Sequence, residues 1–279
     1  MLVNSKKMLA EAKKNNCAVL HFNINNLEWT KYILEECERL GVDVILGVSE
    51  GAIKYMGGYN TVAMLVKGLI KDMNIKIGVC LHLDHGSTVE SCKKAIDAGF
   101  TSVMIDASKY KIDENIKYTK QVVDYAHVKG VTTEAEIGHI GGSEDDINND
   151  IFLARLDECI KLYESTNIDS LAPAVGSVHG LYKEEANLNF SLIKEIADHL
   201  PIPLVLHGAT GIEVEKIKKA IACGICKINI NTELQVVWSK EIRKFIKENE
   251  LVYDPRKIIG SGKDAMQKRI REIISDFRL

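Results

Sequence analysis

The stretch Ile75-Lys76-Ile77-Gly78-Val79-Cys80-Leu81-His82-Leu83-Asp84-His85-Gly86 decides how this chain is read. A largely apolar run from Ile75 to Leu83 closes on two imidazoles, a carboxylate and a glycine. Strand alternation points His82 and Asp84 to one face and Leu81 and Leu83 to the other. Ser87 and Glu90 then read as a capping box that starts a helix. A single polar strand end can be no more than a buried group satisfied by its neighbours. It becomes a site when other polar strand ends converge on it.

Outward from this stretch, apolar strands and helical patterns alternate without a break. A helix over about Ser5 to Asn15 comes first. The predicted strands are Ala18–Phe22, Val42–Val48, Ile75–Leu83, Thr101–Ile105, Val131–Ile137, Ile168–Val175, Pro203–Leu206 and Ile225–Ile230. Between them, apolar residues recur at helical spacing, as in Ile33, Leu34, Cys37 and Leu40, ended by Gly41. Strict βα alternation with short links implies a parallel sheet. Eight units favour an α/β fold of the closed (β/α)8 TIM-barrel type over an open doubly wound sheet. No Gly-x-Gly-x-x-Gly follows the first strand, so a dinucleotide site has no local support. The longest irregular stretches, Gly138–Asp150 and Gly176–Asn189, are of a length usually given to functional loops. A C-terminal helical extension near Lys263–Phe277 finishes the chain. Residues 1–279 read as one domain, a size that suits such a barrel.

Charge is nearly balanced, with Lys+Arg 36 against Asp+Glu 39, so nothing draws the whole surface to nucleic acid or anionic lipid. No apolar run reaches the roughly 18 residues of a membrane helix, and the first helix lacks the core of a signal peptide. A cytoplasmic protein is expected. The seven cysteines are scattered over apolar faces and read as core thiols in a reducing compartment. Cys223-x-x-Cys226 lacks a second ligand pair and the strand-to-helix placement of a redox motif.

In a barrel of this kind, chemistry gathers at the carboxyl ends of the strands. Those ends carry Asn23, Ser49, Asp84 with His85, Asp106, Glu136, His179, His207, and Asn229 with Thr232. Taken singly, most are ordinary turn and cap residues. Their convergence on one mouth is the signal. His85, His179 and His207 offer three imidazoles, the donor count of a catalytic zinc site with an open position. Asp106 and Glu136 offer either another metal position or orienting partners for the histidines. His207-Gly208-Ala209-Thr210-Gly211 opens a helix with glycines, a hydroxyl and free amides, a setting for an anion. Asn231-Thr232 would form its second half, and Lys183 could add charge. Gly138–Asp146 has glycines followed by acids, either a solvated acidic loop or a lid that brings Glu144 inward. His82 is expected to orient Asp84, while His127 and His199 read as solvated.

Ordered along nearly the whole chain are FNIN (Phe22–Asn25), VILGVSEG (Val44–Gly51), HLDHG (His82–Gly86), TSVMIDAS (Thr101–Ser108), EAEIG (Glu134–Gly138) and GGSED (Gly141–Asp145). They continue with GSVHG (Gly176–Gly180), HGATG (His207–Gly211), KININTE (Lys227–Glu233) and DPRK (Asp254–Lys257). In these motifs the chain resembles the class II, metal-dependent fructose-1,6-bisphosphate aldolases, in particular the shorter Gram-positive-type branch close to tagatose-bisphosphate and inositol-pathway aldolases. The resemblance implies a glycolytic lyase with His85, His179 and His207 on Zn2+ and Asp84 as acid/base at the C4 oxygen. It makes Glu144 the carboxylate that exchanges the triose proton, and Asp106 and Glu136 a second or resting metal position. It assigns Gly180, Lys183, Gly208, Thr210, Asn229 and Thr232 to a triose-phosphate pocket assisted by a monovalent cation, Na+ or K+. Asn23 and Ser49 become substrate contacts. Arg256 meets the far phosphate, in some members from a neighbouring subunit of a homodimer or homotetramer.

Three departures bear on specificity. The phosphate turn is Gly-Ala-Thr-Gly where the family often has Gly-Gly-Ser-Gly, so the hydroxyl survives on a less free backbone. Asn231 stands where some fructose-specific members have aspartate. Lys109-Tyr110 replaces a common His-His. Alternatives are therefore tagatose 1,6-bisphosphate or a deoxyketogluconate phosphate as substrate, a Schiff-base aldolase using Lys227, and a barrel that binds sugar phosphates without turnover.

Overall fold

The structure, a computed structural model, describes residues 1–144, 147–149, 152–180 and 186–277, the side chains of 142–144 and 147–149 excepted. Eight parallel strands close a barrel: β1 (Val19–Asn23), β2 (Val44–Ser49), β3 (Val79–Gly86), β4 (Ser102–Ile105), β5 (Thr132–Ile137), β6 (Ser170–Pro173), β7 (Leu204–Leu206) and β8 (Ile225–Ile230). Each pairs with its neighbours in sequence, and β8 closes on β1 with Val19 opposite Lys227 and His21 opposite Asn229. The expected (β/α)8 barrel forms. Outward residues such as Leu46, Leu81, Leu83, Val103 and Ile228 pack against the helix ring in one buried apolar cluster.

The strand ends moved most in β3. It begins at Val79, not Ile75, because the preceding amides go elsewhere. Lys76 and Ile77 donate to Glu38 Oε2 at 2.8 and 3.1 Å, and Gly78 donates to Asp43 Oδ1 at 2.7 Å. At its far end β3 runs on to Gly86, whose carbonyl accepts from Asp106 N at 2.9 Å. The helix that follows, Val89–Ala98, is capped by Thr88 and Ser91 rather than by Ser87 and Glu90. Ser87 is drawn off by Glu50, to which both its N–H and its hydroxyl donate, at 3.0 and 2.8 Å.

Both ends of the chain cover the barrel as expected. The N-terminal helix Lys6–Lys14 packs Met8 and Leu9 on Ile45 and Cys80. Helix Lys263–Phe277 buries Met266, Ile270 and Ile273, and Arg271 Nε donates to Glu36 Oε1 at 2.8 Å. The two long loops are less irregular than their sequences suggest. Gly141–Glu144 pairs antiparallel with Ile147–Asn149 and parallel with Val178–His179, so a small three-stranded sheet joins one loop to the other. Strands of two to four residues, mostly polar or glycine, leave no readable alternation. Seven cysteines are free thiols, and no helix among the described residues is long and apolar enough to cross a membrane.

Inside, the barrel is polar at mid-height. His21, His82, Ser102, Glu134, Ser170 and Lys227 are all buried there. Gly47 on β2 makes this layer possible, because a Cβ at that position would overlap the His21 imidazole. Gly47→Ala is expected to destabilise the fold by about 1–3 kcal/mol through overpacking, with little local room for relief. Urea unfolding measures it. An unshifted midpoint would show that His21 can be displaced freely.

Candidate functional site

The site is built on the break in alternation at the end of β3. Adjacent strand residues face opposite ways, so Asp84 and His85 should diverge. His85 has φ +49°, a left-handed backbone unusual for a residue with a side chain, and the β3–β4 register shifts between Leu83 and Gly86. Through this kink both side chains enter the mouth of the barrel.

His85, His179 and His207 come together there, with one ring nitrogen of each within 4.8 Å of the others. His85 Nε2 lies 2.9 Å from His207 Nδ1. Their remaining nitrogens are engaged by carboxylates. His85 Nδ1 donates to Asp106 Oδ2 at 2.9 Å, and His207 Nε2 donates to Glu134 Oε1 at 2.9 Å. Such bonds set the tautomer and leave the opposite nitrogen as a lone-pair donor, Nε2 on His85 and Nδ1 on His207. Burial lowers the pKa of His179 and His207, which keeps both rings in the neutral, metal-binding form. His85, Asp106 and Glu136 form a second cluster with donor atoms within 4.8 Å. Glu136 is buried beside Asp106, and burial first and that neighbour second push its pKa well up. Asp106 goes the other way: burial raises it, but the bonds from His85 and Ser108 hold it well below the usual carboxylate range. Neutral imidazoles with orienting carboxylates behind them are a donor set that fits a borderline divalent cation.

Glu134 was not singled out in the sequence, although it shares the inward parity of Glu136 on β5. It binds His207 with one oxygen and Lys227 Nζ, at 2.8 Å, with the other. Lys227 Nζ also lies 3.4 Å from His82 Nε2, and His82 Nδ1 is 2.8 Å from Ser102 Oγ. His82 therefore belongs to the interior layer and does not orient Asp84. That part falls to two amides: Asn23 Nδ2 donates to Asp84 Oδ2 at 2.8 Å and Asn229 Nδ2 to Oδ1 at 3.4 Å. Burial alone would raise the Asp84 pKa. The imidazoles of His21, His85 and His207, with Lys227, instead hold it well below the usual carboxylate range. His21 Nε2 is 3.6 Å from Asp84 Oδ2, a neighbour the sequence did not reveal.

Beside Asp84 lies a cleft of about 130 Å³ lined by Asn23, Asp84, His179, Gly180, Gly208, Thr210, Asn229, Asn231, Thr232 and Gln235. Seven of the ten expected substrate contacts are among them. Gly208 has φ +65°, and a Cβ there would collide with the Val178 carbonyl, so the turn can lie flat against the His179 strand only as glycine. Gln235, not anticipated, donates from Nε2 to Asn231 Oδ1 at 3.0 Å and thereby turns the Asn231 amino group away from itself.

Two of the expected contacts do not line this cleft. Ser49 is the cap of helix Glu50–Tyr55, accepting from Ala52 N at 3.2 Å, although β2–β3 register sets it opposite Asp84. Arg256 is an exposed side chain paired with Asp254 at 2.9 Å and does not reach the mouth within one chain. Lys183 lies outside the described residues. Glu144 ends a strand whose Gly142 is opposite His179, and its side chain lies outside the described atoms. Among the other histidines, His127 pairs with Asp169 at 2.9 Å and His199 with the Glu195 carbonyl at 2.8 Å, both at the exposed surface.

Comparison with known proteins agrees with this geometry. The family described as "Fructose-bisphosphate aldolase class-II" matches residues 3–279. A fructose-bisphosphate aldolase of Geobacillus stearothermophilus is 54% identical over 277 residues, covering 99% of this chain and 96% of its own length. One from Staphylococcus aureus (strain Mu50) is 52% identical over 277 residues, covering 99% and 97%. Among solved structures, the YdjI aldolase from Escherichia coli K12 superposes with a TM-score of 0.86 at 31% identity, covering 99% of this chain and 97% of that one.

Proposed function

The chain belongs to the class II fructose-bisphosphate aldolase family, and on that premise we propose that it reversibly cleaves fructose 1,6-bisphosphate to dihydroxyacetone phosphate and glyceraldehyde 3-phosphate. The whole span 1–279 acts as one such domain, cytoplasmic and glycolytic, in a homodimer or homotetramer. The observation that carries the reading is Asp84: an ionised, buried carboxylate held by two amides, next in sequence to one of three clustered imidazoles.

His85, His179 and His207 would hold the metal, proposed to be zinc, with Asp106 and Glu136 as an alternative position. A divalent cation bound there supplies Lewis-acid polarisation of the substrate carbonyl, worth several kcal/mol. Asn23 and Asn229 fix Asp84 so that a carboxylate lone pair can meet the C4 hydroxyl. Asp84 takes that proton as the C3–C4 bond breaks, which leaves C4 as an aldehyde and the bonding pair on C3. Glu144 then delivers a proton to C3, and in the reverse direction it removes one. Gly180, Gly208, Thr210, Asn231 and Thr232 hold the triose phosphate through backbone N–H groups, hydroxyls and an amide, with Lys183 and a monovalent cation, Na+ or K+, adding positive charge. Ser49 and Arg256 contact the distal half of the substrate, Arg256 from the neighbouring subunit.

The Schiff-base alternative loses support because the Lys227 amine is buried and engaged by Glu134. A barrel that only binds sugar phosphates would have no use for the buried, ionised Asp84. The C4 epimers test the substrate. Fructose 1,6-bisphosphate is expected to have the higher kcat/KM, by at least about tenfold, the worth of one hydrogen bond of about 1.4 kcal/mol. A clear preference for tagatose 1,6-bisphosphate, or for a deoxyketogluconate phosphate, would replace the substrate and leave the reaction class intact.

A further inference from the structure

Asp106 is gripped from two directions. Its Oδ2 accepts from His85 Nδ1 at 2.9 Å, while its Oδ1 accepts from Ser108 twice, from N at 3.1 Å and from the hydroxyl at 2.7 Å. With the hydroxyl proton committed to Asp106, Ser108 Oγ is left to accept from His139 Nδ1–H at 3.0 Å. The bonds run in one direction, from His139 to Ser108 to Asp106, and each polarises the next. His139 also closes a loop base. Its N–H donates to the Phe152 carbonyl at 2.7 Å and its carbonyl accepts from Phe152 N at 3.0 Å. The next residue, Ile140, donates its N–H to Glu136 Oε1 at 3.2 Å. The segment that leaves the barrel after β5 is thus bonded directly to Glu136 and, through the His139 side chain and Ser108, linked to Asp106.

We propose that Ser108 and His139 are positioning residues, which tie the His139–Phe152 clamp through Asp106 to the ring of His85 and so hold its Nε2 aimed at the metal. The proposal rests on the reading of His85 as a metal ligand. Neither residue touches substrate in it. Their part is to keep Asp106 from rotating, so that the imidazole keeps one tautomer and one orientation.

The test measures Zn2+ dissociation constants by competition with a chromogenic chelator, without substrate, on the full chain. Wild type is compared with Ser108→Ala, His139→Ala, His139→Asn and the Ser108→Ala/His139→Ala pair. Loss of a group that orients a metal ligand typically weakens affinity about 10–100-fold, and Ser108→Ala is expected at the lower end of that range. His139→Ala should lose less. The double variant should be no weaker than Ser108→Ala alone, because His139 acts only through Ser108. His139→Asn, which can place an N–H near the Nδ1 position, should recover most of the affinity. Unchanged affinity in Ser108→Ala, or losses that multiply in the double variant, overturns the proposal. If Ser108→Ala fails to fold, equal losses in His139→Ala and His139→Asn overturn it just as well. Since no substrate is present, a wild type that binds zinc but does not cleave fructose 1,6-bisphosphate sinks the proposed function and leaves this inference standing.

Discussion

Replacing Asp84 with asparagine is expected to lower kcat for fructose 1,6-bisphosphate cleavage by about 10²–10⁴-fold, the span usual for a positioned acid/base. KM should change little, since the residues proposed to hold the phosphates are unchanged. Asparagine keeps the size of the side chain, and its oxygen can still accept from Asn23, which donates to Asp84 at 2.8 Å. Its amino group, however, faces the Asn229 donor at 3.4 Å, so two donors meet. That mismatch should cost about 1–3 kcal/mol of stability, seen as a lower thermal midpoint. Bound metal, measured on the same preparation, should stay near the wild-type amount, which separates a lost base from a lost cation. Wild-type turnover in this variant would remove Asp84 from the chemistry.

Exhaustive chelation should abolish activity, and one equivalent of Zn2+ per chain should restore it. Polarisation of the carbonyl is worth several kcal/mol, and each 1.36 kcal/mol is tenfold in rate, so the expected fall is at least about 10³-fold. Co2+ should also restore turnover, because three imidazoles accept borderline ions. Removal should lower the thermal midpoint as well, since an ion that binds only the folded state stabilises it by mass action. Full activity in a preparation stripped of metal would contradict the proposed chemistry outright.

The inward nitrogens of the imidazole cluster show how the site and the fold depend on each other. His207 sits just beyond β7, yet its orientation is set by Glu134 on β5, 73 residues away. Glu134 in turn needs Lys227 on β8 to remain charged in a buried layer. Its pKa is raised by burial and then brought well below the usual range by Lys227 and His207. Strand parity hinted at this layer, since Glu134 and Glu136 alternate on β5 and Lys227 and Asn229 alternate on β8. It did not say which of these would touch.

The amino-acid sequence by itself determined the barrel, its eight strands to within two residues apart from the ends of β3, and the three imidazoles with Asp84 at one mouth. Those features follow from local periodicity, which repeats along the chain and needs no partner to be recognised. Only the tertiary structure decided the left-handed turn at His85, which sends two consecutive residues into the same site. It also decided that Thr88 rather than Ser87 caps the next helix, that Asn23 and Asn229 rather than His82 hold Asp84, and that the two long loops share a sheet. Two of these are competitions for a hydrogen-bonding partner, Glu50 taking Ser87 and Lys227 taking His82. Such contests are settled by closure and register across the barrel, where residues far apart in sequence come within 3 or 4 Å, and no window of sequence contains both contenders.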